Sequence, residues 1–109
     1  MLEDVVRKGR LLDLYGPLLT EKQRRCMEMD FDMDLSLSEI GEELHISRQG
    51  AYDMLKRASH SLESYEQRLH LLARYDAVRD KIDEVERLLD REEPQTLERA
   101  KQLLHEIEL

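Results

Sequence analysis

Tryptophan is absent from this 109-residue sequence, cysteine occurs once, proline twice and glycine four times, and aromatic residues make up only 5%. A single cysteine, Cys26, excludes an intrachain disulfide and any C-x-x-C metal or redox motif, and a lone thiol fits a reducing cytoplasm. No apolar run approaches the length of a membrane span. The opening MLEDVVRKGR mixes acids with bases where a signal peptide would carry a continuous apolar core. Cytoplasmic localisation without membrane insertion is the expectation. The histidines, His45, His60, His70 and His105, are scattered and form neither a His-x3-His pair nor H-E-x-x-H, and no glycine-rich loop could cradle a nucleotide phosphate. Cys26 lies between no visible basic relay groups and reads as a buried structural thiol beside Met27 and Met29 rather than a nucleophile. No catalytic residue, metal or cofactor is therefore expected, and the chain does not read as an enzyme.

What is present is charge and helical periodicity. Charged residues make up 39% of the chain, and the balance favours an all-α fold over a sheet sandwich. The length suits one modest core, or a small domain plus a long helix. Val5, Val6, Leu11, Leu12 and Tyr15 recur at helical spacing before the stop Gly16-Pro17. Thr20 and Gln23 have capping-box spacing and predict a second helix over 21–31, broken by the acidic DFDMD loop. Ser36 and Glu39 form a second capping box, with Leu35 and Ile40 as its hydrophobic staple. Ser47 is the next good N-cap, with Ile46 and Ala51 as its staple, and no proline interrupts the pattern from Arg48 to Pro94, so one very long helix is predicted there. Thr96 is the expected cap of a last helix carrying Leu97, Ala100, Leu104 and Ile107 on one face, folded back near Ile82 to Leu89.

The stretch LSEIGEELHISRQGAYDMLKRA, Leu37 to Ala58, has the spacing of a helix-turn-helix. On a helix from Arg48, steps of about 100° gather Ala51, Met54, Leu55, Ala58, Leu62 and Tyr65 on one arc and leave Arg48, Gln49, Tyr52, Asp53 and Lys56 on the other. The first arc is core and the second is free to read a ligand. Gly41 is small where the crossing helices must approach closely, and His45 stands at a turn position that often takes positive φ and more commonly holds glycine. Ser47, Arg48, Gln49, Tyr52, Lys56 and Arg57 are the candidate nucleic-acid-binding residues.

Three segments, LLTEKQR, DLSLSEIGEEL and SRQGAYDMLKR, together resemble the YlxM family of bacterial helix-turn-helix proteins over about 18–66. That family is associated by gene neighbourhood with the signal recognition particle pathway and is itself similar to region 4 of bacterial sigma factors. Gly50-Ala51 stands where the family has an Ala-Val pair, and Cys26 where an aromatic is usual, departures that touch packing rather than the reading arc. The resemblance implies a helix-turn-helix domain over 1–60 of sigma-factor region 4 type, continuing over 61–109 into a long C-terminal helix and a short final helix. It also implies a nucleic-acid-binding accessory or regulatory protein acting on signal recognition particle RNA, with the particle's GTPase as a further partner. Alternatives from other classes are a DNA-binding transcriptional regulator and a protein-interaction scaffold without nucleic-acid binding.

The net charge of −8 sits uneasily with a polyanionic ligand, but its distribution eases the conflict. Segments 1–35, 36–60 and 61–109 carry −2, −1 and −5, so most of the excess lies beyond the motif, where it can face solvent or a basic partner. With only Arg48, Lys56 and Arg57 on the motif, a single copy has few phosphate contacts, and two copies would double them. Leu55, Ala58, Leu62, Tyr65, Leu69 and Leu72 advance by alternating threes and fours, a heptad seam locally offset near Tyr75. Leu55, Leu62, Tyr65, Leu69 and Leu72 are therefore the expected contact of a homodimer. The competing reading packs the same stripe on helices of its own chain.

Overall fold

The computed structural model describes residues 2–91 and 93–107. They form six helices: α1 (Leu2–Tyr15), α2 (Glu21–Phe31), α3 (Leu37–Leu44), α4 (Arg48–Leu69), α5 (Leu71–Asp90) and α6 (Pro94–Glu106). No strand occurs among the described residues. The chain divides into two compact units, Met1–His70 and Leu71–Leu109.

The first unit is built as the caps prescribe. Thr20 Oγ1 accepts from the Gln23 amide while Gln23 Oε1 accepts from the Thr20 amide, and Ser36 and Glu39 repeat the exchange. Two orphan donors at each helix start are thereby satisfied. The Ser36 backbone amide first, and then the Ser36 side chain, hold the Glu39 carboxyl below the usual carboxylate range. Cys26, Met29, Ile40, Leu44 and Ala51 form the buried centre of α2, α3 and α4, and Leu35 and Ile46, the outer halves of the two staples, pack against it.

Helix α1 lies along the C-terminal half of α4. Leu11, Leu12 and Tyr15 are buried on α1, and Ala58, Leu62 and Glu66 on α4. The Tyr15 hydroxyl donates to Glu66 Oε1 at 2.6 Å, which satisfies a carboxyl group that would otherwise be costly to bury. Arg7 donates from Nε and Nη2 to the two oxygens of Glu63, both at 2.8 Å. That fork holds the Glu63 carboxyl below its ordinary range and raises the Arg7 guanidinium. A Cβ on Gly9 would stand 2.5 Å from the tip of the Phe31 ring, so a larger residue there would have to push that ring aside. Val5 and Val6, grouped with the core stripe from spacing alone, are instead exposed at 52% and 53%. The packed part of α1 begins only one turn later.

Three further expectations are corrected. The continuous helix from Arg48 to Pro94 does not exist: α4 stops at Leu69, and His70 adopts a left-handed conformation (φ 56°, ψ 28°) with its amide donating to the Glu66 carbonyl. Histidine is among the residues that tolerate this region, so the break needs neither proline nor glycine. Thr96 is not the cap of the last helix. Glu93 is the N-cap, Pro94 supplies the preset φ of the first turn, and the Thr96 hydroxyl donates back to the Glu93 carbonyl at 2.7 Å. The buried face of α6 is Ala100 with Leu103, packed on Val85 and Leu88 of α5, while Leu97 and Leu104 are about half exposed. The fold-back of α6 onto α5 agrees with the sequence reading, and Lys81 Nζ fastens its end by donating to the Glu106 carbonyl at 3.2 Å. No helix of the described residues is long and apolar enough to cross a membrane.

Candidate nucleic-acid interface

The turn between α3 and α4 aims the candidate reading helix. His45 caps α3 in the left-handed region (φ 58°, ψ 42°), the conformation the sequence had flagged as unusual for a residue other than glycine. The Ile46 amide then donates to the Gly41 carbonyl at 2.9 Å. A Cβ on Gly41 would lie 2.7 Å from the Ile46 carbonyl oxygen, a backbone atom that cannot swing aside. Absence of a side chain at Gly41 is thus a condition of the crossing. Ser47 closes the turn, its Oγ accepting from the Gly50 amide at 2.9 Å.

Helix α4 leaves this turn with Ala51 fully buried and Arg48, Gln49, Tyr52, Asp53, Lys56 and Arg57 exposed. The arcs read from sequence are therefore the arcs observed. Arg48, Lys56 and Arg57 make no side-chain ion pair among the described residues. Gln49 is less available than its position suggested, because its Nε2 donates to Asp53 Oδ1 at 3.1 Å. Ser47 keeps its hydroxyl proton for a ligand even while its oxygen serves as the cap. Of the three bases on α2, Arg24 is paired with Glu28 at 3.0 Å, and Arg25 lines a separate groove with Glu28 and Glu43. Only Arg24 is held in an ion pair; Arg25 and Lys22 make none among the described residues.

The sequence missed two neighbours of the arc. Lys8 of α1 and Asp30 at the end of α2 line one groove with Tyr52, Leu55, Lys56 and Ser59 of α4. No spacing rule joins these positions, since only the packing of α1 and α2 against α4 brings them together. Cys26 is fully buried, and desolvation first, then Asp30, raises its thiol pKa, so it stays protonated as a packed side chain. Among the described residues no group of three His, Cys, Asp or Glu is placed to hold a metal ion.

The expected dimer seam is dispersed. Leu62 is fully buried within a single copy and Tyr65 donates to the Leu18 carbonyl at 3.3 Å, with its ring centroid 6.0 Å from that of Tyr15. Leu55 is half-buried against the α2–α3–α4 core, Leu69 is 45% exposed, and Leu72 is buried beyond the break at His70. The left-handed His70 ends the helix between Leu69 and Leu72, so the stripe does not run along one helix.

Capped helices crossing at Gly41 with an exposed cationic arc on α4 define an all-α helix-turn-helix protein, a class whose common property is nucleic-acid binding. The chain belongs to the UPF0122 family of YlxM / p13-like helix-turn-helix proteins, whose pattern matches residues 2–106. It is 42% identical over 113 residues to a UPF0122 protein of Thermoanaerobacter sp. (strain X514), spanning 99% of this chain and 97% of that protein. A UPF0122 protein of Bacillus mycoides is 42% identical over 108 residues, again 99% and 97% of the two chains. One of Halalkalibacterium halodurans is 40% identical over 92 residues, 84% of each.

Proposed function

We propose that this chain is a non-enzymatic RNA-binding accessory protein of the signal recognition particle pathway, holding the particle's RNA through α4. The observation that carries the nucleic-acid part is the set of exposed, unpaired cations Arg48, Lys56 and Arg57 on α4, the first two one turn either side of the exposed ring of Tyr52. The pathway comes from the family resemblance. An A-form major groove is too deep and narrow for a recognition helix, so these residues would meet backbone phosphates and unpaired bases. The competing ligand is promoter DNA, read by Arg48, Gln49 and Lys56 in a major groove, as in a transcriptional regulator.

Two further contacts belong to this reading. Asp80, Asp83, Glu86 and Asp90 line a face of α5 together with Arg87, and Arg79 pairs with Asp83 at 3.4 Å, leaving an excess of acid suited to a basic surface such as one on the particle's GTPase. A homodimer would double the phosphate contacts. With Leu62 covered inside one copy, its contact moves to the leucines α5 and α6 leave outward, Leu89, Leu97 and Leu104. A salt-titrated binding assay comparing signal recognition particle RNA, an unrelated structured RNA and promoter DNA tests the ligand. Tightest binding to the particle RNA, with a salt slope that falls by about 0.7 for each of Arg48→Ala and Lys56→Ala, is the expected result. Preference for promoter DNA would replace RNA by DNA, and unchanged binding in the double variant would remove both. Sedimentation of the Leu97→Glu, Leu104→Glu double variant as a monomer, against a dimer for the unmodified chain, is expected for the assembly.

A further inference from the structure

The groove beside the polar arc holds more than phosphate contacts require. Its walls come from three helices, with Lys8, Asp30, Tyr52, Leu55, Lys56 and Ser59 lining it. Tyr52 is 48% exposed, while Leu55 and Ser59 are half-buried. The side chains of Lys8, Asp30, Tyr52 and Lys56 make no hydrogen bond or ion pair among the described residues. In a chain with four tyrosines, one phenylalanine and no tryptophan, an exposed ring sharing a groove with two lysines is conspicuous. We infer that this groove is a pocket for one unpaired guanine of an RNA loop, stacked on Tyr52, read by Asp30 and flanked by phosphates on Lys8 and Lys56.

The inference rests on the RNA reading above and deepens it. A paired duplex presents no free π-face, whereas an unpaired base stacks on an aromatic ring while its neighbouring phosphates meet nearby cations. Asp30 then becomes informative. A carboxylate repels phosphate and only accepts hydrogen bonds, so in a groove of this kind it is suited to a base edge made of donors. Guanine alone offers two adjacent donors, N1–H and N2–H2, matched to two carboxylate oxygens. Adenine, cytosine and uracil would each turn at least one acceptor toward Asp30. Two lysines against one aspartate leave the groove net positive, as a nucleotide with its phosphate requires.

The test is fluorescence anisotropy with labelled stem-loop RNAs that differ only at one loop position, carrying guanosine, inosine, adenosine or uridine, beside a fully paired duplex of equal length. The guanosine loop should bind tightest and inosine, which lacks the N2 amine, in between. Tyr52→Ala should weaken guanosine-loop binding by about tenfold or more, and Tyr52→Phe, which keeps the ring, should retain it. Asp30→Asn should erase the preference for guanosine over adenosine without weakening the adenosine loop. Circular dichroism should stay unchanged, since both side chains are exposed. If Arg48→Ala weakens binding while Tyr52→Ala and Asp30→Asn do not, the pocket is wrong and the nucleic-acid reading stands. If the unmodified chain binds neither RNA nor DNA, that reading falls and the pocket with it. If free GMP binds as tightly as the loop and competes with it, the occupant is a mononucleotide and the RNA-loop assignment is overturned.

Discussion

Each start of α2, α3 and α4 in the first unit is held by a side-chain oxygen, and the crossing of α3 with α4 depends on the bare Cα of Gly41. In the second unit α6 starts from Glu93 with no side-chain cap bond, and α5 and α6 close on Val85, Ala100 and Leu103 with Leu88 beside them. A helix-turn-helix must hold one crossing angle to aim its reading face, which requires specific turn chemistry. A helical hairpin needs only an apolar stripe, and it can leave leucines outward for another molecule to cover.

The largest expected effect comes from placing the same charge in each unit. Leu62→Glu buries a carboxylate at a fully buried position and should cost several kcal/mol, unfolding the first unit rather than merely separating two copies. Leu97→Glu, at a position 47% exposed, should cost less than about 1 kcal/mol. Denaturant melts followed by circular dichroism measure both, and equal losses would break the contrast. Next is Gly41→Ala, whose new Cβ meets the Ile46 carbonyl oxygen, with an expected loss of about 1–3 kcal/mol and weaker nucleic-acid binding from the displaced α4. Wild-type stability in that variant would mean the turn is not set by close approach.

Capping gives a smaller pair. Thr20→Ala removes a capping-box acceptor and should cost about 1 kcal/mol, whereas Thr96→Ala, whose hydroxyl only donates to the Glu93 carbonyl, should cost less than half of that. Equal midpoint shifts in urea would restore Thr96 as a cap. The smallest effect concerns pH. Because the Arg7 hydrogen bond holds the Glu63 carboxyl below its ordinary range, the pair contributes stability above the usual carboxylate pKa, and that contribution is lost as pH falls through the lowered folded value. The side chains are about half exposed, so solvent screening limits the contribution to less than about 1 kcal/mol. Glu63→Gln should lower the melting temperature slightly at pH 7 and flatten its decline below about pH 4. An unchanged acid limb would show that other carboxylates account for it.

Much of the first unit was legible because its signals are local. Capping boxes, staples and the two arcs of α4 depend on residues three to seven positions apart, and Thr20, Ser36 and Ser47 each do in the structure what their spacing implies. His70 was not legible, since a left-handed histidine within an unbroken helical pattern leaves no periodic trace. Nor was the covering of Leu62, because a heptad stripe looks the same whether a second copy or α1 lies over it. The turn of α6 by one residue, from Leu104 to Leu103, was equally hidden, being decided by Val85 and Leu88 on the facing helix.

By itself, then, the sequence determined the starts of α2, α3 and α4, the helix-turn-helix spacing and the exposure of Arg48, Lys56 and Arg57, because backbone capping and the helical period act over a turn or two of chain. Only the tertiary structure decided where α4 ends, that the seam at Leu62 is closed within one copy, and that Lys8 and Asp30 join Tyr52 in one groove. The covering of Leu62 and the groove at Tyr52 depend on residues more than twenty positions apart, whose meeting is set by the burial of α1 and α2 against α4 rather than by any local preference.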